Sequence, residues 1–167
     1  KSSASLRALA AAMESGGIER TYLALAIGAV DSDCTIDVPL RSTDEPRGDR
    51  PKVVVDAENG ENARTHLRVV ERFADATLVE LRLETGRTHQ IRAHLRAIDH
   101  PLLGDPRYGD PARDAFARET LGVGRPLLHA ARLVFSHPSE GRRMEFTSPL
   151  PGDLQTVLDD IRGRHAK

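Results

Sequence analysis

Cationic and imidazole side chains crowd one short stretch of this 167-residue chain. From Arg82 to His100 there are four arginines (Arg82, Arg87, Arg92, Arg96) and three histidines (His89, His94, His100), against only Glu84 and Asp99. The centre of the stretch reads Leu83-Glu84-Thr85-Gly86-Arg87-Thr88-His89-Gln90-Ile91-Arg92-Ala93-His94-Leu95. An alternating strand runs into a Thr-Gly turn, and a short helix begins, with Thr88 as the expected cap of its first turn. At about 100° per residue, His89, Arg92 and Arg96 share one narrow stripe, while Ile91, Leu95 and Ile98 lie on roughly the opposite side. One face can dock on a core; the other presents cations and an imidazole, groups that meet phosphates. The plain alternative is a solvated basic face on an amphipathic helix.

The elements around this stretch must position it. A helix is expected from Lys1 to Ser15, with Leu6, Leu9, Ala10 and Met13 at helical spacing and Gly16-Gly17 ending it. Ile18 to Val30 reads as a strand, with Tyr22, Ala24, Ala26 and Gly28 on one face and Leu23, Leu25 and Ile27 on the other. The small residues beside Tyr22 leave room against its ring for something flat. Cys34 to Leu40 reads as a short strand, and Arg41 to Pro51 as a mobile loop, either ordered on binding a ligand or simply a connection. A brief strand follows at Val53-Val54-Val55, then a turn at Asn59-Gly60. Ala63–Phe73 and Ala76–Glu84 form the clearest hairpin, joined by Ala74-Asp75. His66 in its first strand is expected to make a structural hydrogen bond. Asp99-His100-Pro101 ends the signature helix, because the residue before proline is pushed out of the helical region. Gly104-Asp105-Pro106-Arg107-Tyr108-Gly109 reads as an ordered, structural turn. Asp110 to Gly124 has some helical pattern. A second hairpin spans Pro126 to Thr147, and Gly152 to Ile161 closes the chain as a helix.

Composition narrows the classes. Lys+Arg 24 against Asp+Glu 25 gives a net charge of −1, so whole-chain charge does not announce a nucleic-acid binder, although a local basic patch can meet phosphates while the rest of the surface stays neutral. No apolar run approaches the ~20 residues that span a bilayer, and no membrane partner is expected. Cys34 is alone, which excludes an internal disulfide and a thiol metal cluster and suits a reducing cytoplasm. At this length one domain, residues 1–167, is expected.

The Thr-Gly-Arg-Thr-His-Gln-Ile-Arg string of residues 85–92, followed by His100-Pro101 and Gly104-Asp105 with Tyr108-Gly109, resembles the third signature of the RluA-type RNA pseudouridine synthases. Arg20-Thr21-Tyr22 before an apolar strand resembles the second signature, and Leu127-Leu128-His129-Ala130 the closing segment. The resemblance implies an α+β fold: a mixed, mostly antiparallel sheet with flanking helices and an RNA-binding cleft. It implies isomerisation of uridine to pseudouridine in ribosomal or transfer RNA, with no metal and no organic cofactor, by a protein expected to be monomeric. Arg92 matches the arginine paired with a catalytic aspartate, and Tyr22 the tyrosine set against the target base. Arg87, His89, Gln90 and Arg96 become candidates for RNA contacts, and Leu128 for the apolar wall of the base pocket.

One part of the pattern is missing. The family's aspartate lies in an Arg-Leu-Asp signature that these residues do not contain. Lys1 looks like the residue just after that segment, which makes the chain the C-terminal portion of a catalytic domain, inactive by itself. Asp31, Asp33, Asp37 and Asp56 are not in matching contexts. A non-catalytic RNA-binding module with the same fold is the alternative. A metal hydrolase using His89, His94, His100 or His129 is a third reading; His89 and His94 would point about 140° apart on a helix, poor geometry for a shared ion.

Overall fold

The computed structural model describes residues 3–43 and 52–165. Twelve elements follow one another: α1 (Ser3–Glu14), β1 (Ile18–Ile27), β2 (Cys34–Asp37), β3 (Leu40–Thr43), β4 (Lys52–Val55), β5 (Arg64–Arg72), β6 (Ala76–Leu83), α2 (Gln90–Ala97), α3 (Pro111–Leu121), β7 (Leu128–Ser136), β8 (Arg143–Thr147) and α4 (Gly152–His165). Six strands form one sheet in the order β2-β5-β6-β1-β7-β8, and β3 pairs with β4 apart from it. Every one of these pairings is antiparallel. This is the α+β architecture expected.

The period of two in β1 explains the two cores. Ala24 and Ala26 face a cluster built with Val79 and Leu81 of β6 and with Ile91 and Leu95 of α2. Leu25 and Ile27 face the other cluster, filled by Ala117 of α3 and by Leu154, Val157 and Leu158 of α4. The sheet is therefore covered by α2 on one side and by α3 and α4 on the other. All of Ala24, Leu25 and Ala26 are 0% exposed, so this stretch of β1 is the central plank on which α2 is set.

The structure departs from the sequence reading at several points. Thr88 does not cap α2: the cap position is His89, in the left-handed region (φ 52), with no side-chain cap bond. The bracing comes instead from Gln90, described below. Arg41–Thr43 is strand, not loop, because it pairs with Lys52–Val54 in the β3–β4 ladder; the rest of the expected loop, residues 44–51, lies outside the described residues. β1 stops at Ile27, where Gly28 takes φ 84 and donates its N–H to the Asp75 carbonyl (2.8 Å). The apolar stripe of α1 is not packed: Leu6 is 71% and Met13 48% exposed. α4 also runs past Ile161, to His165.

Candidate functional site

Gln90 makes the turn into α2. It is 2% exposed. Its Oε1 accepts from the Thr85 hydroxyl (2.8 Å) and the Arg87 N–H (3.0 Å), and its Nε2 donates to the Arg64 carbonyl and the Thr65 hydroxyl (both 3.0 Å). With its amide fully engaged, Gln90 has nothing left to offer RNA, and its assignment as an RNA contact is corrected to that of an internal brace. The Thr65 hydroxyl, having accepted from Gln90, has its own proton for His94 Nδ1 (2.9 Å), while His94 Nε2 donates to the Val38 carbonyl (3.1 Å). His94 is 0% exposed, and burial pushes its pKa down, so it stays a neutral structural group.

This brace holds Arg92 one turn into the helix. Arg92 Nε donates to Asp105 Oδ2 and Nη2 to Oδ1, both at 2.6 Å. Asp105 comes from the ordered turn after α2 and is 0% exposed. Its Oδ1 also accepts from the backbone N–H groups of Arg107 (3.0 Å) and Tyr108 (3.1 Å). Burial by itself would raise the Asp105 pKa. The Arg92 hydrogen bonds and those two amides outweigh it and hold the carboxyl below its ordinary value. The guanidinium lies 4.8 Å from the centre of the Tyr108 ring, a cation–π contact on its other side. Fixed by carboxylate and ring, Arg92 keeps Nη1, for which the described residues show no hydrogen bond, and 18% of its side chain stays exposed.

His89 joins the same cluster through Tyr108: its Nδ1 lies 3.1 Å from the Tyr108 hydroxyl, and the rings meet edge-on at 5.6 Å. That hydroxyl accepts from the Val53 N–H (2.8 Å), which ties the small β3–β4 sheet to the site. Arg96 is exposed on the next turn and makes no ion pair among the described residues. Arg87 is committed differently: it pairs with Glu61 and donates Nε to the Asn62 carbonyl (3.2 Å).

Tyr22 stands on β1 opposite Ala130 of β7, on the sheet face that carries α2. Leu128, opposite Ala24, is its diagonal neighbour on that face, and both are half-buried. Arg20, Tyr22, Ala130, Leu133 and Phe146 line a cavity of about 260 Å³. The structure thus gathers Arg92 and His89 around Tyr108, and Tyr22 with Leu128 on the same side of the sheet. His66 bonds Thr35 (2.9 Å) and Glu84 (2.5 Å), a structural role as expected.

Sequence reasoning missed the roles of Asp105, Tyr108 and Arg20. An acid directly after an apolar run and a glycine, followed at i+3 by an aromatic, was the available signal for the first two. For Arg20 the signal was parity: Ile18, Arg20, Tyr22 and Ala24 alternate onto one face, so the arginine had to point the way Tyr22 does.

A six-stranded antiparallel sheet carrying this arginine–tyrosine arrangement on one face defines a class, and comparison with known proteins identifies it. The family model for RNA pseudouridylate synthases matches residues 1–97. An uncharacterized RNA pseudouridine synthase of Chloroflexus aurantiacus is 43% identical over 159 residues, 95% of this chain and 47% of the relative. The ribosomal large subunit pseudouridine synthase D of Nitrosomonas europaea is 43% identical over 155 residues, 92% and 44% of the two chains. Among solved structures, human RNA pseudouridylate synthase domain containing 1 superposes with a TM-score of 0.69 at 26% identity, covering 95% of this chain and 70% of that one. The chain belongs to the RNA pseudouridylate synthase family. It spans about half the length of the curated relatives it matches.

Proposed function

We propose that the whole protein containing these residues is an RNA pseudouridine synthase of ribosomal or transfer RNA, a cytoplasmic monomer in which residues 1–167 are the C-terminal portion of the catalytic domain. The observation that carries the reading is the Arg92–Asp105 pair. One carboxylate fixes the guanidinium through two hydrogen bonds, and the remaining Nη1 is left to hold a second carboxylate ionised. The reaction is an isomerisation: the bond from ribose C1′ to uracil N1 breaks, the base turns, C1′ bonds C5, the proton leaves C5 and N1 gains one. Nothing is oxidised or reduced, so the atoms balance without a redox partner. The base must leave its stack to react. Tyr22 lies against it and Leu128 walls it, while Arg96, His89 and Arg87 contact the RNA.

Pseudouridine formation by the whole protein tests this. Arg92→Ala is expected to abolish turnover while weakening RNA binding far less, and near-normal kcat in that variant would remove Arg92 from the site. The 167 residues alone lack the Arg-Leu-Asp signature and are expected to give no pseudouridine; robust turnover by that polypeptide, verified by intact mass, would overturn the expectation. The second reading is a non-catalytic RNA-binding module that retains the fold. RNA binding without any turnover by the whole protein would decide for it.

A further inference from the structure

Tyr108 joins three parts of the site. It is 4% exposed and packs in a small core with Leu40, Val53, Ala63 and Ala93. The Arg92 guanidinium lies 4.8 Å from the centre of its ring. Its hydroxyl makes a different connection. The Val53 N–H donates to that oxygen (2.8 Å), which leaves the phenolic proton for an acceptor of its own. Among the described residues the acceptor within reach is His89 Nδ1, 3.1 Å away. A neutral imidazole that accepts at Nδ1 carries its proton on Nε2, so one buried hydroxyl sets both the direction of the His89 ring and its tautomer.

His89 sits in an uncommon backbone conformation. It takes φ 52, in the left-handed region, at the start of α2, and its side chain makes no cap bond to the helix it precedes. The imidazole therefore does not stabilise the helix end. It stands half-buried on the stripe it shares with Arg92 and with the exposed Arg96. A residue held in that conformation, with its ring tied to a tyrosine instead of to the helix, is arranged for what the ring presents.

We propose that Tyr108 is a positioning residue for RNA recognition: its hydroxyl, aimed by the Val53 amide, fixes the His89 ring with the proton on Nε2, while its aromatic ring supports Arg92 independently. The proposal rests on the reading of His89 as an RNA contact, and it divides one side chain into two separable roles. The hydroxyl serves RNA binding through His89, and the ring serves the chemistry through Arg92.

Tyr108→Phe removes the hydroxyl and keeps the ring, and the test is made on the whole protein. Proton–nitrogen spectra of the imidazoles, recorded without RNA at a pH where the rings are neutral, should show His89 Nδ1 unprotonated and shielded by a hydrogen bond. In Tyr108→Phe that nitrogen should move downfield, to the position of one that accepts no hydrogen bond. A protonated Nδ1 in the unaltered protein, or an unmoved resonance in the variant, would overturn the proposal. Kinetics give the second readout, with unmodified ribosomal or transfer RNA transcribed in vitro, whichever the protein modifies. Tyr108→Phe should raise KM about three- to tenfold, the size of one lost hydrogen bond, and leave kcat within about twofold. In a His89→Ala background the same substitution should add less than about twofold to KM. A matching fall in kcat, or an equal rise in KM in both backgrounds, would show that the hydroxyl only supports the fold and would refute the positioning role. The spectra need no substrate, so a whole protein that forms no pseudouridine fails the function above and leaves this proposal to be decided by His89 Nδ1.

Discussion

Asp105→Ala is expected to destabilise the protein by about 3 kcal/mol. Its carboxylate takes two 2.6 Å hydrogen bonds from Arg92 and two more from the Arg107 and Tyr108 amides, at zero exposure. Breaking a buried pair by deleting one partner costs about 3–5 kcal/mol, because the other charge is stranded. Arg92 has 18% of its side chain in water and keeps the Tyr108 ring, which places the loss at the lower end of that range. Urea unfolding of the whole protein measures it as a lower midpoint at unchanged slope. A loss under about 1 kcal/mol would show that Arg92 is satisfied without Asp105 and would refute the account of the site. Acid adds an independent check. The folded-state pKa of Asp105 lies below the ordinary 3.8, so the unfolded chain binds the proton first. The stabilisation is complete above about pH 3.8 and is lost as the pH falls through the folded value. Asp105→Asn should lack that acid loss.

Three other perturbations follow from buried groups. Asp114 is 5% exposed, and burial, aided by repulsion from Asp105 and Asp110, raises its pKa, while its Oδ1 accepts the Gly104 N–H (2.7 Å). Asp114→Asn keeps the acceptor and removes an unfavourable charge; it should be more stable at pH 7, with the advantage shrinking as the pH falls towards 3.8, and a less stable variant at pH 7 would contradict this. His94 is held neutral by burial, below its ordinary 6.5; the unfolded chain therefore takes up the proton first, stability should drop as the pH falls below about 6.5, and denaturation of His94→Gln should show that slope removed. A methyl at position 109 would meet Asp114 Oδ2 and the Asp105 carbonyl. Gly109→Ala should thus disturb the turn and cost about 1–3 kcal/mol by thermal or urea unfolding, and a neutral result would mean the turn yields freely.

Periodicity made much of the fold legible. The parity of β1 separated Ala24 and Ala26 from Leu25 and Ile27, and the structure gives each pair its own cluster. The two hairpins and α4 followed from alternation, turns and spacing. Strand order did not, because nothing local says that β1 sits between β6 and β7. α2 was legible on its apolar side, where Ile91 and Leu95 are buried, but its wheel could not show that Ala93 and His94 are buried as well, at 4% and 0% exposure. The β3–β4 sheet and the 100s turn close over that side, and both are long-range effects. Gln90 was misread for the same reason: an amide in a basic string looks like a surface donor until Thr65 and Arg64, some 25 residues away, claim it.

Arg92 and Arg20 show how far a sequence carries a charged residue. Both are basic groups on the α2-bearing side of the sheet, and neither position alone says what will neutralise it. Arg92 finds its carboxylate 13 residues on, within the chain, and the ordered turn from Gly104 to Gly109 exists to deliver it. The turn is braced because Asp105 collects two amides as well as the guanidinium, so the fold itself sets the geometry of Arg92. For Arg20, Nε and Nη2 have no hydrogen-bond acceptor among the described residues, and Gly86 leaves space for Nη1. The distance in sequence between a charge and the group that neutralises it decides whether the pairing can be read in advance, and for Arg92 that distance is 13 residues.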